Sequence, residues 1–153
     1  MPSSARPATS ARPVVPMFQG IPCAGNVKDP DILLLSVNAG YVHANLGLRY
    51  LMANLGELLP RCALLEGTRR LGVAALADAA AALKPKVLGV SVAVWNHDES
   101  RQLLALLRRA LPQALLCVGG PEASYLPLEH PLFAGVDVLV RGEGETVFAQ
   151  LCR

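Results

Sequence analysis

No CxxC or CxxxCxxC spacing exists in this chain; its four cysteines stand at positions 23, 62, 117 and 152. So dispersed a set leaves a local metal knot or a disulfide framework without support. The expected role is apolar filler in a reducing cytosol, with Cys62 and Cys117 inside predicted strands. Uninterrupted apolar runs stop well short of about 18 residues, which excludes a membrane span. Charge is scarce: 17% of residues are charged and the net is +2, too little to argue for nucleic acid or an anionic membrane surface as partner. The phosphate loop GxxxxGK[ST] is missing, and so is GxGxxG after the first apolar run. The third predicted strand ends in Val94-Trp95-Asn96, without the acid that a phospho-receiver domain needs. No nucleophile elbow or Ser/His/Asp order is present.

What is present is apolar: 52% of 153 residues are hydrophobic, enough for one domain with a buried core. Residues 1–30 differ, with six of the twelve prolines and no acid before Asp29. They lack the long apolar core of a signal peptide, and the prolines oppose the amphipathic helix of a transit peptide. They read as a disordered Pro/Ala/Ser/Arg-rich leader, and residues 31–153 as the folded domain.

From Asp31 onward, strands alternate with helices. The strands are "DILLLSVN" (31–38), "CALLEG" (62–67), "VLGVSVAV" (87–94), "ALLCVG" (114–119) and "VDVLVR" (136–141). Helices are expected over 45–59, 73–84 and 96–111, the last with Asn96 and Glu99 at capping-box spacing, and a further helix starts near Glu145. Alternation of this kind predicts an α/β fold with a parallel sheet, right-handed crossovers and helices on both faces. Five near-continuous Val/Leu/Ile strands suggest the flavodoxin-like, Rossmann-like order 2-1-3-4-5.

Ligands of such sheets bind outside the carboxyl ends of the strands. The loops there are "NAGYVHANLG" (38–47), "VWNHDE" (94–99), "GGPEASY" (119–125) and "RGEGET" (141–146), all unusual; the loops at the opposite edge are plain turns. Gly119 and Gly120 let a backbone approach a flat ligand closely, and Pro121 sets the exit. Gly142 and Gly144 repeat the device one strand over, interleaved with Glu143 and Glu145. A tight turn and a favourable charge at a helix start are the plain readings of these residues. Ser91 needs a hydrogen-bond partner if buried. Trp95 reads equally as core or as pocket wall. His43 serves as a metal ligand, a base or a surface residue; no second ligand stands at metal spacing. His97 and His130 read as surface residues.

These four loops resemble the N-terminal cobalamin (vitamin B12)-binding domain of cobalamin-dependent radical S-adenosylmethionine (SAM) proteins. The matching pieces are "NAGYVHANLGLRYL", "GVSVAVWN", "GGPEASY" and "VLVRGEGETVF", in that order, over 31–153. The resemblance implies that the strand ends carry the corrin ring, with its nucleotide tail along the sheet. The loop holding Asn38, Tyr41, His43 and Leu46 would lie under the cobalt. Ser91, Val92, Trp95 and Asn96, with Gly119, Gly120, Pro121 and Glu122, would line the tail and ring edge. Gly142, Glu143, Gly144 and Glu145 would close the far side. Methionine-synthase-type carriers have Asp-x-His-x-x-Gly; here the loop has His43-x-x-x-Gly47, with Tyr41 in place of the Asp. His43 is thus a candidate cobalt ligand, with a pocket-lining or supporting role as the alternative.

The resemblance also implies a radical SAM catalytic domain, in cis or in trans, carrying the [4Fe–4S] cluster and S-adenosylmethionine. This chain lacks that cluster motif, so it is expected to be the cofactor-binding part of such an enzyme, a methyltransferase among the options, and the short last helix agrees with a fragment or with a product that lost its catalytic domain. Two other readings remain beside this one. A flavodoxin-like flavin or nucleotide domain predicts Ser/Thr-rich phosphate contacts after the first strand, and residues 38–47 contain neither. A non-catalytic interaction domain with a degenerate pocket predicts no tight ligand. A bulky residue at Gly120 is expected to block cobalamin and leave the fold intact.

Overall fold

The computed structural model describes residues 15–39 and 44–153. Its strands are β1 (Met17–Phe18), β2 (Ile21–Gly25), β3 (Ile32–Asn38), β4 (Cys62–Thr68), β5 (Val87–Ser91), β6 (Leu115–Gly119) and β7 (Val138–Leu139). Its helices are α1 (Leu46–Ala53), α2 (Val73–Leu83), α3 (His97–Ala110) and α4 (Glu145–Leu151). They form one sheet of order β1-β2-β4-β3-β5-β6-β7. The five parallel strands β4-β3-β5-β6-β7 are the expected 2-1-3-4-5 arrangement.

Two strands were not expected. β1 and β2 fall within residues assigned to a disordered leader, yet β2 pairs antiparallel with β4 (Cys23 opposite Leu65). Gln19 and Gly20 both have positive φ (50° and 78°), the requirement of a two-residue hairpin turn whose twist suits its strands. The prolines suggested disorder, but Pro22 sits in the outer part of the sheet, where a missing N–H is tolerated. Ile21 is 1% exposed and anchors the hairpin in the core. Residues 1–14 lie outside the described chain.

All seven residues of β3 are buried, as a strand covered on both faces must be. Leu33, Leu35 and Val37 face one core layer with Leu76, Leu83, Leu103 and Leu107 of α2 and α3. Ile32 and Leu34 face the other, with Leu48 of α1 and Phe148 of α4. The expected helix over 45–59 is shorter. α1 ends at Ala53, where the Asn54 side chain donates to the Tyr50 carbonyl at 2.7 Å. Gly56 then takes φ +58° and a 3-10 turn over Gly56–Arg61 contains Pro60. Among the described residues no helix is long and apolar enough to cross a membrane.

Candidate functional site

α1 and α4 lie on one face of the sheet and touch each other. With the sheet they line a cleft of about 600 Å³ at the carboxyl ends of β5, β6 and β7. Gly89 and Cys117 lie along it on the sheet, and Phe148 of α4 lies beside them. Gly89 has no spare room: an added Cβ would come within 2.8 Å of Leu34 Cδ2 and 3.2 Å of Phe148 Cε2. Its missing side chain therefore lets strand and helix approach and gives the cleft its depth. Leu48 and Leu51 of α1 form one wall.

The mouth is built from two glycine loops. Gly120 has φ +105°, and a Cβ there would sit 2.6 Å from the Val92 carbonyl oxygen and 2.8 Å from its nitrogen. Ser124 clasps this loop to the next: its hydroxyl donates to the Gly120 carbonyl at 3.0 Å and accepts from the Gly142 N–H at 3.0 Å. Gly144 packs so that a Cβ would meet Val140 Cγ1 at 3.3 Å and Leu51 Cδ2 at 3.4 Å. Gly142, by contrast, has nothing within 4 Å of its would-be Cβ.

Of the residues singled out in the sequence, Ser91, Trp95, Gly119, Gly120 and Pro121 line the cleft, as do Gly142, Glu143, Gly144 and Glu145. Five others do not. Val92 is fully buried and acts through its backbone, donating to the Gly119 carbonyl at 2.8 Å and accepting from the Glu122 N–H at 3.1 Å. Asn96 is 1% exposed; its side chain donates to the Val37 carbonyl at 3.0 Å and accepts from the Ala93 N–H at 2.7 Å. The expected capping box with Glu99 is therefore not formed. Glu99 instead pairs with Arg69 at 2.7 Å, and Arg69 also donates to the Trp95 carbonyl. Trp95 is thus held from across the sheet end, with 44% of it exposed.

Glu122 turns away from the cleft and meets His97 Nδ1 at 3.0 Å. The His97 ring lies edge-on to His130 at 5.1 Å, so these histidines form a half-buried cluster instead of standing free on the surface. Asn38 is buried beside Ser36 and Glu66, and Leu46 is exposed at the start of α1. Tyr41 and His43 lie outside the described residues.

Sequence reasoning missed the α1 wall, Gly89, Cys117, Ser124, Tyr125 and Phe148. Gly89 had a usable signal, a glycine inside a valine-rich strand. Phe148 had none beyond its place in "GEGETVF".

The only charged residues among the described lining are Glu143 and Glu145. No lysine or arginine among the described residues lines the cleft. Among the described residues no group of three or more His, Cys, Asp or Glu could hold a metal ion. Burial pushes the Cys117 thiol up to about 12, so it stays neutral and unreactive at neutral pH.

Comparison with known proteins assigns the family and the fold. The model of the B12 binding domain matches residues 32–152. A 2-(S-pantetheinyl)-carbapenam-3-carboxylate methyltransferase of Streptantibioticus cattleyicolor is 39% identical over 77 residues, covering 48% of this chain and 11% of that protein. The cobalamin-dependent radical SAM methyltransferase TokK of Streptomyces tokunonensis is 36% identical over 73 residues, covering 45% of this chain and 10% of that protein. The match thus spans about a tenth of the length of these curated relatives. A cobalamin-binding protein from Desulfitobacterium hafniense, solved by crystallography, shares the fold with TM-score 0.55 at 16% identity, over 79% of this chain and 56% of that one. With the family model matched across its whole parallel sheet, this chain belongs to the B12-binding domain family.

Proposed function

We propose that this chain is the cobalamin-carrying part of a radical SAM-type methyltransferase, with the nucleotide tail in the cleft between α1 and α4 and the corrin ring across the glycine loops at its mouth. One observation carries the placement: the cleft runs from the rim at Gly119 and Gly142 inward to Gly89 and Phe148, a mouth for a broad flat ring continuous with a slot along the sheet. The residues fit such a group. Its walls are mostly apolar, Ser91 and Asn45 offer hydrogen bonds to it, and at the rim Gly119, Gly120, Gly142 and Gly144 leave the backbone uncovered by side chains.

When bound, cobalamin supplies a transferable methyl group. The chain's own residues bind and orient. Gly119 and Gly120 bring backbone against the ligand, Ser124 keeps the two loops in register, and Trp95 walls the mouth. Both curated relatives named above are methyltransferases, one of them cobalamin-dependent and radical SAM, which supports a catalytic domain, in cis or in trans, bearing the [4Fe–4S] cluster and S-adenosylmethionine.

The test is anaerobic titration with hydroxocobalamin, followed by gel filtration and the visible spectrum. Trp95 is the chain's single tryptophan and lines the cleft, so stoichiometric quenching of its emission is expected along with a retained corrin. Absence of both quenching and retention overturns the reading. In the same assay His43→Ala separates two roles: a shift in the bands of the bound corrin marks a cobalt ligand, and unchanged bands mark a lining residue.

A further inference from the structure

Near its carboxyl end β4 carries an acid that does not line the cleft. Glu66 is 5% exposed. One of its oxygens accepts from Asn38 Nδ2 at 3.3 Å and from the Asn45 backbone N–H at 2.6 Å. The other accepts from the Arg49 guanidinium. Asn38 in turn accepts from the Ser36 hydroxyl at 2.9 Å. The donors thus come from the end of β3 and from the start of α1.

A buried ion pair is a poor source of stability, because desolvation offsets much of its attraction. It does impose direction. Ser36 of β3 lies in register with Glu66 of β4, so the carboxylate sits on a fixed platform. From there it holds α1 at two points, the Asn45 N–H and the Arg49 guanidinium. Asn45 is the junction, since its side chain also caps the helix by accepting from the Leu48 N–H at 3.0 Å. This is the helix whose Asn45, Gly47, Leu48 and Leu51 line the cleft. α1 also packs against α4, so a shift in its seat on the sheet moves both walls.

We propose that Glu66 is a positioning residue for the cobalamin site, acting through Asn45 and Arg49 on the α1 wall. The proposal rests on the cobalamin reading of the cleft. Glu66→Gln keeps the side chain's shape, but it places an amide donor among existing donors and removes the charge opposite Arg49. The expected result is a folded protein whose Kd for hydroxocobalamin rises about 10-fold, equivalent to about 1.4 kcal/mol, with a changed spectrum of the bound corrin. Arg49 is 40% exposed and gives a second, milder pair of variants. Arg49→Lys should bind more tightly than Arg49→Gln, because it keeps a charge-assisted partner for the carboxylate.

A wild-type chain that retains no corrin overturns the cobalamin reading itself. A wild-type chain that binds, beside Glu66→Gln and Arg49→Gln variants with unchanged Kd and spectrum and only lower melting temperatures, overturns the positioning role alone. If Glu66→Gln does not fold, the Arg49 pair decides on the same criterion.

Discussion

Gly120→Ala is a demanding test of the loop geometry, and the structure corrects what the sequence suggested for it. The position has φ +105°, and an added Cβ would sit 2.6 Å and 2.8 Å from backbone atoms of Val92. Those atoms cannot move freely, because Val92 donates to the Gly119 carbonyl and accepts from the Glu122 N–H. A substitution here therefore damages the fold as well as the ligand site. Left-handed backbone costs about 1–2 kcal/mol for a residue with a Cβ. Overpacking against fixed neighbours adds about 1–3 kcal/mol. The total is about 2–5 kcal/mol, a melting-temperature drop on the order of 10 °C for a chain of this size. Gly142→Ala is the matched control, with φ +71° and nothing within 4 Å of the new Cβ; it should cost only the backbone share. Thermal and urea unfolding of both variants read the difference. A Gly120→Ala protein as stable as Gly142→Ala would refute the crowding argument. A larger residue at Gly144 is the cleaner way to obstruct the cleft. Its backbone is ordinary (φ −100°) and its Cβ would meet only side-chain atoms of Val140 and Leu51.

Two further outcomes follow from charge and burial. The Arg61 hydrogen bond, at 2.5 Å, and then Lys86 hold the Asp31 carboxyl below its usual range, while the Leu116 N–H and then Arg108 do the same for Asp137. Both contribute stability that is present above the unfolded value of about 3.9 and is lost as pH falls through their lower folded values. Asp31→Asn and Asp137→Asn should each flatten the fall of the urea midpoint between pH 5 and pH 2, by at most about 1 kcal/mol for such exposed pairs; an unchanged profile contradicts the assignment. Burial pushes the Cys62 and Cys117 thiols up to about 12 and that of Cys152 to about 11. A thiol reagent at pH 8 should leave the buried Cys62 and Cys117 untouched in the native protein and label them in urea, with the partly exposed Cys152 reacting first; rapid native labelling of Cys62 or Cys117 would show that the second core layer opens.

Much of the fold was legible in the residues. Leu33 to Val37 and Leu88 to Val90 are apolar at every step or nearly so, which only strands covered on both faces tolerate. The helices between them force parallel pairing, and parallel pairing sends every loop rich in glycine to the same edge. The site was legible where backbone must approach closely, at Gly119, Gly120, Gly142 and Gly144. It was misread where a polar side chain had two possible partners. Asn96 stood at capping spacing, yet it bonds to Val37, a residue 59 positions away. Glu122 stood in a cleft loop, yet His97 draws it outward.

Local pattern alone thus determined the parallel strand–helix alternation, its two-sided burial and the edge that carries the loops, because these follow from period, chain direction and crossover hand, and it suggested the central order. Tertiary structure decided the rest. The hairpin of β1 and β2 exists because β4 offers it an edge. The cleft exists because α1 and α4 share a face without closing over β5 and β6, and Glu66 gains its partners only when β3, β4 and α1 meet. Each of these depends on contacts between residues far apart in the chain, which no local periodicity records.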